Sequence, residues 1–248
     1  MADQRIPARA QFYIEAVIAV GATVWLYAGL RHSFRHGVLF GTCLALAIIA
    51  AMMKVRLPRV EGTFSLGFVG ALIAIQELDF TEAVVVGSMV GLTQSIWRPQ
   101  QRPVAVQVAF NVANVAIATA VAYAAYRGGL IGGPNEGSMG LLLWTATLFY
   151  VTNTGIVAGV LCLLEQTPIG QVFEHWCVWS LGYFLGGAVL VAGAHSLVGS
   201  SFASLALLPS MFVTYFVYRA YVRSRSDTGT NTARPQERAS EPCNRRSA

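Results

Sequence analysis

Apolar residues run almost unbroken from Phe12 to Leu30 and stop at the basic stretch Arg31-His32-Ser33-Phe34-Arg35-His36. Further apolar runs follow at Val38–Met53, Thr63–Leu78, Thr81–Trp97, Val104–Tyr126, Met139–Leu164, Cys177–Leu197 and Phe202–Val222. A helix crossing a bilayer needs about 20 predominantly apolar residues. The pattern therefore predicts an all-α integral membrane protein, a bundle of about eight transmembrane helices. Pro58 forbids a simple continuation after the second run, because it lacks an amide proton and clashes with the preceding turn. Pro99 and Pro103 stiffen the link after the fourth run, and Pro103 suits the first turn of the fifth.

The third and fourth runs are short, about 16 residues or roughly 24 Å of helix against a ~30 Å hydrocarbon core. They are expected to thin the bilayer, sit inside the bundle, or pack as a hairpin. Met139–Leu164 reads as one long, tilted span, with a break near Thr152-Asn153-Thr154-Gly155 as the other reading. Glu165–Trp176 has the aromatic content of an interfacial segment anchored by Phe173 and Trp176. From Ser224 onward the chain is rich in Arg, Ser, Thr and Pro, which predicts a disordered tail over 224–248 behind a bundle over 1–223.

Composition sharpens the class. Of 248 residues 55% are hydrophobic and 12% charged, where a soluble domain carries about 25% charge. The exterior is therefore expected to face lipid, with the bilayer itself as the first partner. The formal charge of +5 does not point to nucleic acid, since the positive residues lie in loops and the tail. Arg5, Arg9, Lys54, Arg56, Arg59, Arg98 and Arg102 fall on one side of an eight-span chain, and Arg31, Arg35 and Arg127 on the other. The positive-inside rule then predicts that both termini are cytoplasmic and that the acidic turn Glu77/Asp79/Glu82 lies outside. Phe12–Leu30 is too long for the apolar core of a signal peptide and is expected to remain as an uncleaved first span. Cys43, Cys162, Cys177 and Cys243 show no paired spacing; those in or beside apolar runs read as small buried side chains.

Few residues carry candidate chemistry. Gln107, Asn111 and Asn114 are spaced to share one face of the fifth helix. An amide facing lipid leaves its donors unsatisfied, so this face is expected to point inward, with Asn153 as a partner. Two readings stay open: hydrogen bonds that set helix register, or a polar wall of a ligand site. Gln76 and Gln94 lie near opposite ends of the short pair and are candidates to line a cleft with it. Glu15, one turn into the first helix, and His195 read as interfacial groups, and the acidic turn as a solvated helix–helix connection rather than a cation site. No HExxH, no paired His/Cys set, no G-x-S-x-G elbow and no phosphate-cradling glycine loop is present. The sequence accordingly predicts neither an enzyme nor a bound cofactor or metal. Gly182 and Gly186 form a GxxxG pair suited to close helix contact, within the chain or between copies.

Three stretches carry a family likeness: Val55–Leu66 (V-R-L-P-x-x-E-G-T-x-S-L), Trp97–Pro103 (W-R-x-x-x-R-P) and Gln107–Asn114 (Q-V-x-F-N-V-A-N). Together with Tyr215–Tyr221 they resemble the N-terminal multi-span sensor domains of bacterial GGDEF and HD-GYP signalling proteins. The resemblance implies a sensor of the inner (plasma) membrane that binds a small or lipophilic ligand between helices and biases a cytoplasmic or membrane signalling partner. Where those proteins continue into an output module, this chain passes from Ser224 into its polar tail, so output is expected to come from a partner. A substrate-capturing subunit like those of energy-coupling-factor transporters, and a purely structural membrane protein, are the alternatives.

Overall fold

The computed structural model describes residues 7–31, 37–56, 63–97, 104–128, 139–165, 181–182 and 184–193. The expected segment at 165–176, the eighth helix and the polar tail lie outside the described residues, apart from Glu165.

Helix α1 (Ala8–Arg31) starts at Pro7, whose carbonyl accepts the amides of Ala10 and Gln11 at 2.9 and 3.0 Å. It is followed by α2 (Gly37–Met52), α3 (Gly67–Glu77), α4 (Phe80–Ile96), α5 (Ala105–Arg127), α6 (Met139–Glu165) and α7 (Phe184–Gly193). Among the described residues α1, α5 and α6 are long and apolar enough to cross a membrane. At 24, 23 and 27 residues they reach about 35–40 Å, a full hydrocarbon core with ends to spare. Met139–Glu165 is one helix, so the broken alternative near Asn153 does not hold.

The third apolar run departs from expectation. It divides into strand β2 (Thr63–Ser65) and the 11-residue α3, with β2 pairing antiparallel to β1 (Lys54–Arg56) in the register Lys54↔Ser65. The helix begins only after Ser65, whose Oγ accepts the Gly67 amide at 3.2 Å and donates to the Ala51 carbonyl at 3.0 Å. At roughly 16 Å, α3 is too short to cross the hydrocarbon core alone. It is instead a core element: every residue from Gly67 to Gln76 is buried, as suits a helix that is apolar all round.

Long-range contacts fix how the helices alternate. Thr81 at the start of α4 donates to the Ala28 carbonyl near the end of α1 at 2.8 Å. Lys54, just past α2, reaches the carbonyls of Gln94 and Trp97 at the end of α4. Arg127 at the end of α5 donates to the Gln76 carbonyl at the end of α3, at 3.1 Å. Tyr13, early in α1, donates to Ile156, late in α6, at 3.2 Å. One end of the bundle therefore gathers the start of α1, the ends of α2, α4 and α6, and the start of α5. The α3–α4 turn, the end of α1 and the end of α5 share the opposite end.

Helix α5 is the hub. Val17, Phe110, Ala113 and Val160 form one apolar cluster joining α1, α5 and α6; Ala28, Val84 and Ala116 form another joining α1, α4 and α5. Small residues let the backbones close: a Cβ at Gly87 of α4 would strike Thr119 of α5, and one at Gly70 would lie 2.6 Å from the Ala47 Cβ of α2. Such close approach is how helices associate where lipid removes any hydrophobic drive between them. Phe12, Leu26 and Leu30 of α1 stay exposed, the outward apolar face that a lipid solvent accepts. In α7, Phe184 stacks on Phe68 (centroids 4.4 Å) and Tyr150 (4.9 Å), and Gly187 faces Phe68 and Val69. The packed glycine is thus Gly187. Gly182 and Gly186 are exposed, with open space around them among the described residues.

Candidate functional site

The amides of α5 do not act as one face. Gln107, in the first turn, is exposed, contrary to the inward position expected for it. It sits at the end of the bundle where the chain leaves α4, and a long amide side chain there reaches water without being enclosed. Asn111, one turn on, is half-buried and donates to Ser95 Oγ of α4 at 3.0 Å, while Ser95 donates to the Gly91 carbonyl at 2.8 Å. Asn114 is 2% exposed. Its Nδ2 donates to Asn153 Oδ1 of α6 at 2.9 Å and, more weakly, to the Asn153 carbonyl at 3.4 Å. The helical spacing of four and three thus turns two amides to two different neighbours, Asn111 to α4 and Asn114 to α6.

The Asn114–Asn153 contact is one-sided. A fully paired amide couple exchanges two hydrogen bonds; here Asn114 Oδ1 is buried and receives none. A buried acceptor left in this state costs about 1–3 kcal/mol.

Gln76 and Gln94 do not meet. Gln94 belongs to the Lys54 end, where its Nε2 donates to Ser65 Oγ at 3.2 Å and its carbonyl accepts from Lys54 Nζ at 2.8 Å. Gln76 lies at the opposite end, its carbonyl taken by Arg127. The short pair therefore presents no shared cleft between them, because an antiparallel hairpin separates the last turn of α3 from the last turn of α4 by its whole length.

The acidic turn is also not what its composition suggests. Glu82 is 0% exposed. It forms a capping box with Asp79: the Asp79 side chain takes the Glu82 amide, and Glu82 Oε2 accepts the Asp79 amide at 3.2 Å. The signal was present as an acid at the N-cap and Glu three residues on, but three acids in a row of turns read as solvated. Phe80 then seats the turn between Tyr27 and Tyr123, at centroid distances of 5.4 and 5.3 Å. Arg31 lies over Tyr27, and Arg127 over Tyr123 and Tyr126.

Lys54, the one lysine in the chain, was not singled out by sequence. Its ammonium donates to the carbonyls of Gln94 (2.8 Å) and Trp97 (2.6 Å), satisfying backbone groups that the end of α4 leaves open. Partial burial moves its pKa below the ordinary lysine value. No pattern at position 54 points to carbonyls some forty residues away. Among the described residues no group of His, Cys, Asp and Glu is placed to hold a metal ion. Cys43 and Cys162 are free thiols. No family model, curated protein or solved structure matches this chain, so what the site can do is argued from its own residues and their geometry.

Proposed function

We propose that this chain is a multi-span inner-membrane receiver that binds a small ligand beside Asn114 and Asn153 and passes the change in helix packing to a signalling partner. The observation that carries the reading is the buried, unpartnered Asn114 Oδ1 between α5 and α6. A ligand hydroxyl or N–H would supply the missing donor. Because Asn114 also holds α6, occupancy there would act directly on how α6 packs against the hub. A ligand shifts such an equilibrium only by its differential affinity for the two arrangements. The likeness to sensor domains of cyclic-dinucleotide signalling proteins supports the same role. The half-length, buried α3 favours the transport reading, a substrate-binding subunit, because short helices that end inside a bundle are common at transporter binding sites.

Native mass spectrometry of the protein released from nanodiscs tests the site. Wild type is expected to carry a small-molecule adduct that Asn114→Leu loses. If both fly without an adduct and the variant only melts lower, the amides are structural.

The proposed topology has eight spans with both termini cytoplasmic, the Lys54 end facing the cytoplasm. The alternation of α1 through α6 suits it, as does the sequence position of Arg59, Arg98 and Arg102 between elements that meet at that end. On a background freed of native cysteines, Gly128→Cys should react with an impermeant maleimide in intact cells, and Val104→Cys only after permeabilisation. Both positions are exposed, unlike Thr81 at 5%. The reverse labelling would invert the orientation.

A further inference from the structure

The end of the bundle where α3 hands over to α4 holds polar groups that the Asn114 reading leaves unused. Gln76, in the last turn of α3, is 6% exposed, and neither its side-chain oxygen nor its nitrogen has a hydrogen-bond partner. Glu82, in the first turn of α4, is wholly buried; Oε2 serves the capping box and Oε1 accepts nothing. Only Leu78 and Asp79 separate the two helices, so both side chains belong to adjoining turns of one hairpin. Cys43 of α2, itself buried, lies within electrostatic range of Glu77 and Glu82, and α5 brings Arg127 to the Gln76 carbonyl. This end of the hairpin thus buries a carboxylate oxygen and a whole amide that have no hydrogen-bond partner. Buried polar groups in folded proteins are nearly always matched, by protein, ordered water or an ion.

Two of the atoms left open are oxygens, one of a carboxylate and one of an amide, and both suit a cation. Among the described residues, Glu77, Asp79 and Glu82 share this end with Arg127 and the exposed Arg31. A short helix ending inside a bundle, beside an acid and an amide, is a geometry that holds monovalent cations in membranes through carbonyl and amide oxygens. A divalent ion asks for more charged oxygen ligands than are gathered here.

We propose that Gln76 and Glu82 are ligands of a buried monovalent-cation site at the α3–α4 hairpin, with an ion of sodium's size as its occupant. The site goes beyond the Asn114 reading and stands without it.

The test compares the melting midpoint of the full-length protein in nanodiscs in sodium, lithium, potassium and choline chloride at one ionic strength. A saturable rise of several degrees is expected with sodium over choline. Glu82→Gln separates the ion from the fold, because Gln fills the capping-box position as Glu does while removing the charge. It should keep the choline midpoint and lose the sodium rise. Gln76→Met should weaken the rise, and Asn114→Leu should leave it intact, which keeps this site distinct from the ligand site. Binding of radioactive sodium to wild type, read by scintillation proximity, decides the matter if Glu82→Gln fails to fold. Equal midpoints in all four salts, a sodium rise that survives in both hairpin variants, or no saturable sodium binding would overturn the proposal and leave bridging water as the partner of these atoms.

Discussion

Gly87→Val is expected to destabilise the bundle by about 3 kcal/mol, the upper end of what overpacking costs, and to do so by prising α4 from α5. A Cβ at position 87 meets the Thr119 hydroxyl and lies 3.1 Å from Thr119 Cβ and 3.3 Å from Cγ2. Thr119 has no room to yield. It is fully buried, is β-branched with few rotamers in a helix, and its Oγ1 donates to the Val115 carbonyl at 2.8 Å. The helices must therefore separate, and the small-residue contact that joins them goes with them. Unfolding in graded SDS, followed by intrinsic fluorescence, gives the number. Two controls locate the cause. A Cβ at Gly155 meets no atom within 4 Å, and Gly155→Val should change stability little. Thr119→Ala added to Gly87→Ala should restore most of what Gly87→Ala alone loses, since it removes the hydroxyl and Cγ2 and leaves only Cβ, at 3.1 Å.

The second large effect is expected at Lys54. Lys54→Met keeps the aliphatic stem but removes two charge-assisted hydrogen bonds to the carbonyls of Gln94 and Trp97. A loss of about 2 kcal/mol follows from what such bonds contribute, discounted because the group is only part-buried. The damage should be local. Hydrogen exchange at the last-turn amides of α4, including the Trp97 amide that bonds to Thr93 at 2.8 Å, should speed up markedly, while the Asp79–Glu82 end of the same helix stays protected. Lys54→Arg should recover part of the loss, since a planar guanidinium keeps the charge but not the compact geometry that reaches both carbonyls. If exchange rises evenly along α4, Lys54 is not its cap.

The sequence reading and the structure agree where one physical rule governs. Five of the expected helix cores, in α1, α2, α4, α5 and α6, match to within a few residues, because long apolar runs closed by charge, Pro or Gly leave few alternatives. The Asn114–Asn153 partnership was also legible, since a mid-helix amide in an apolar span has to find another polar group. Gln107 shares their helical period yet ends up exposed. Periodicity gives the direction of a side chain around the helix axis but not how far along the axis the neighbouring helices extend. By sequence Thr63–Ser65 reads as part of a helix, because apolar character alone does not separate a strand from the start of a helix. Its ladder depends on Lys54–Arg56 across a reversal.

Sequence by itself determined that this is an apolar helical chain with helices able to cross a bilayer, and roughly where they begin and end. Transfer of backbone into lipid leaves the helix as the way to satisfy its own hydrogen bonds, so composition and run length suffice. Which polar group meets which was decided only by the tertiary structure. Glu82 is buried in a capping box, Lys54 reaches the far end of α4, Gln76 and Gln94 lie apart, and Asn114 keeps one oxygen unpartnered. Each depends on residues brought together from distant parts of the chain, and a short polar side chain makes its bond only with the group that packing sets within about 3 Å of it.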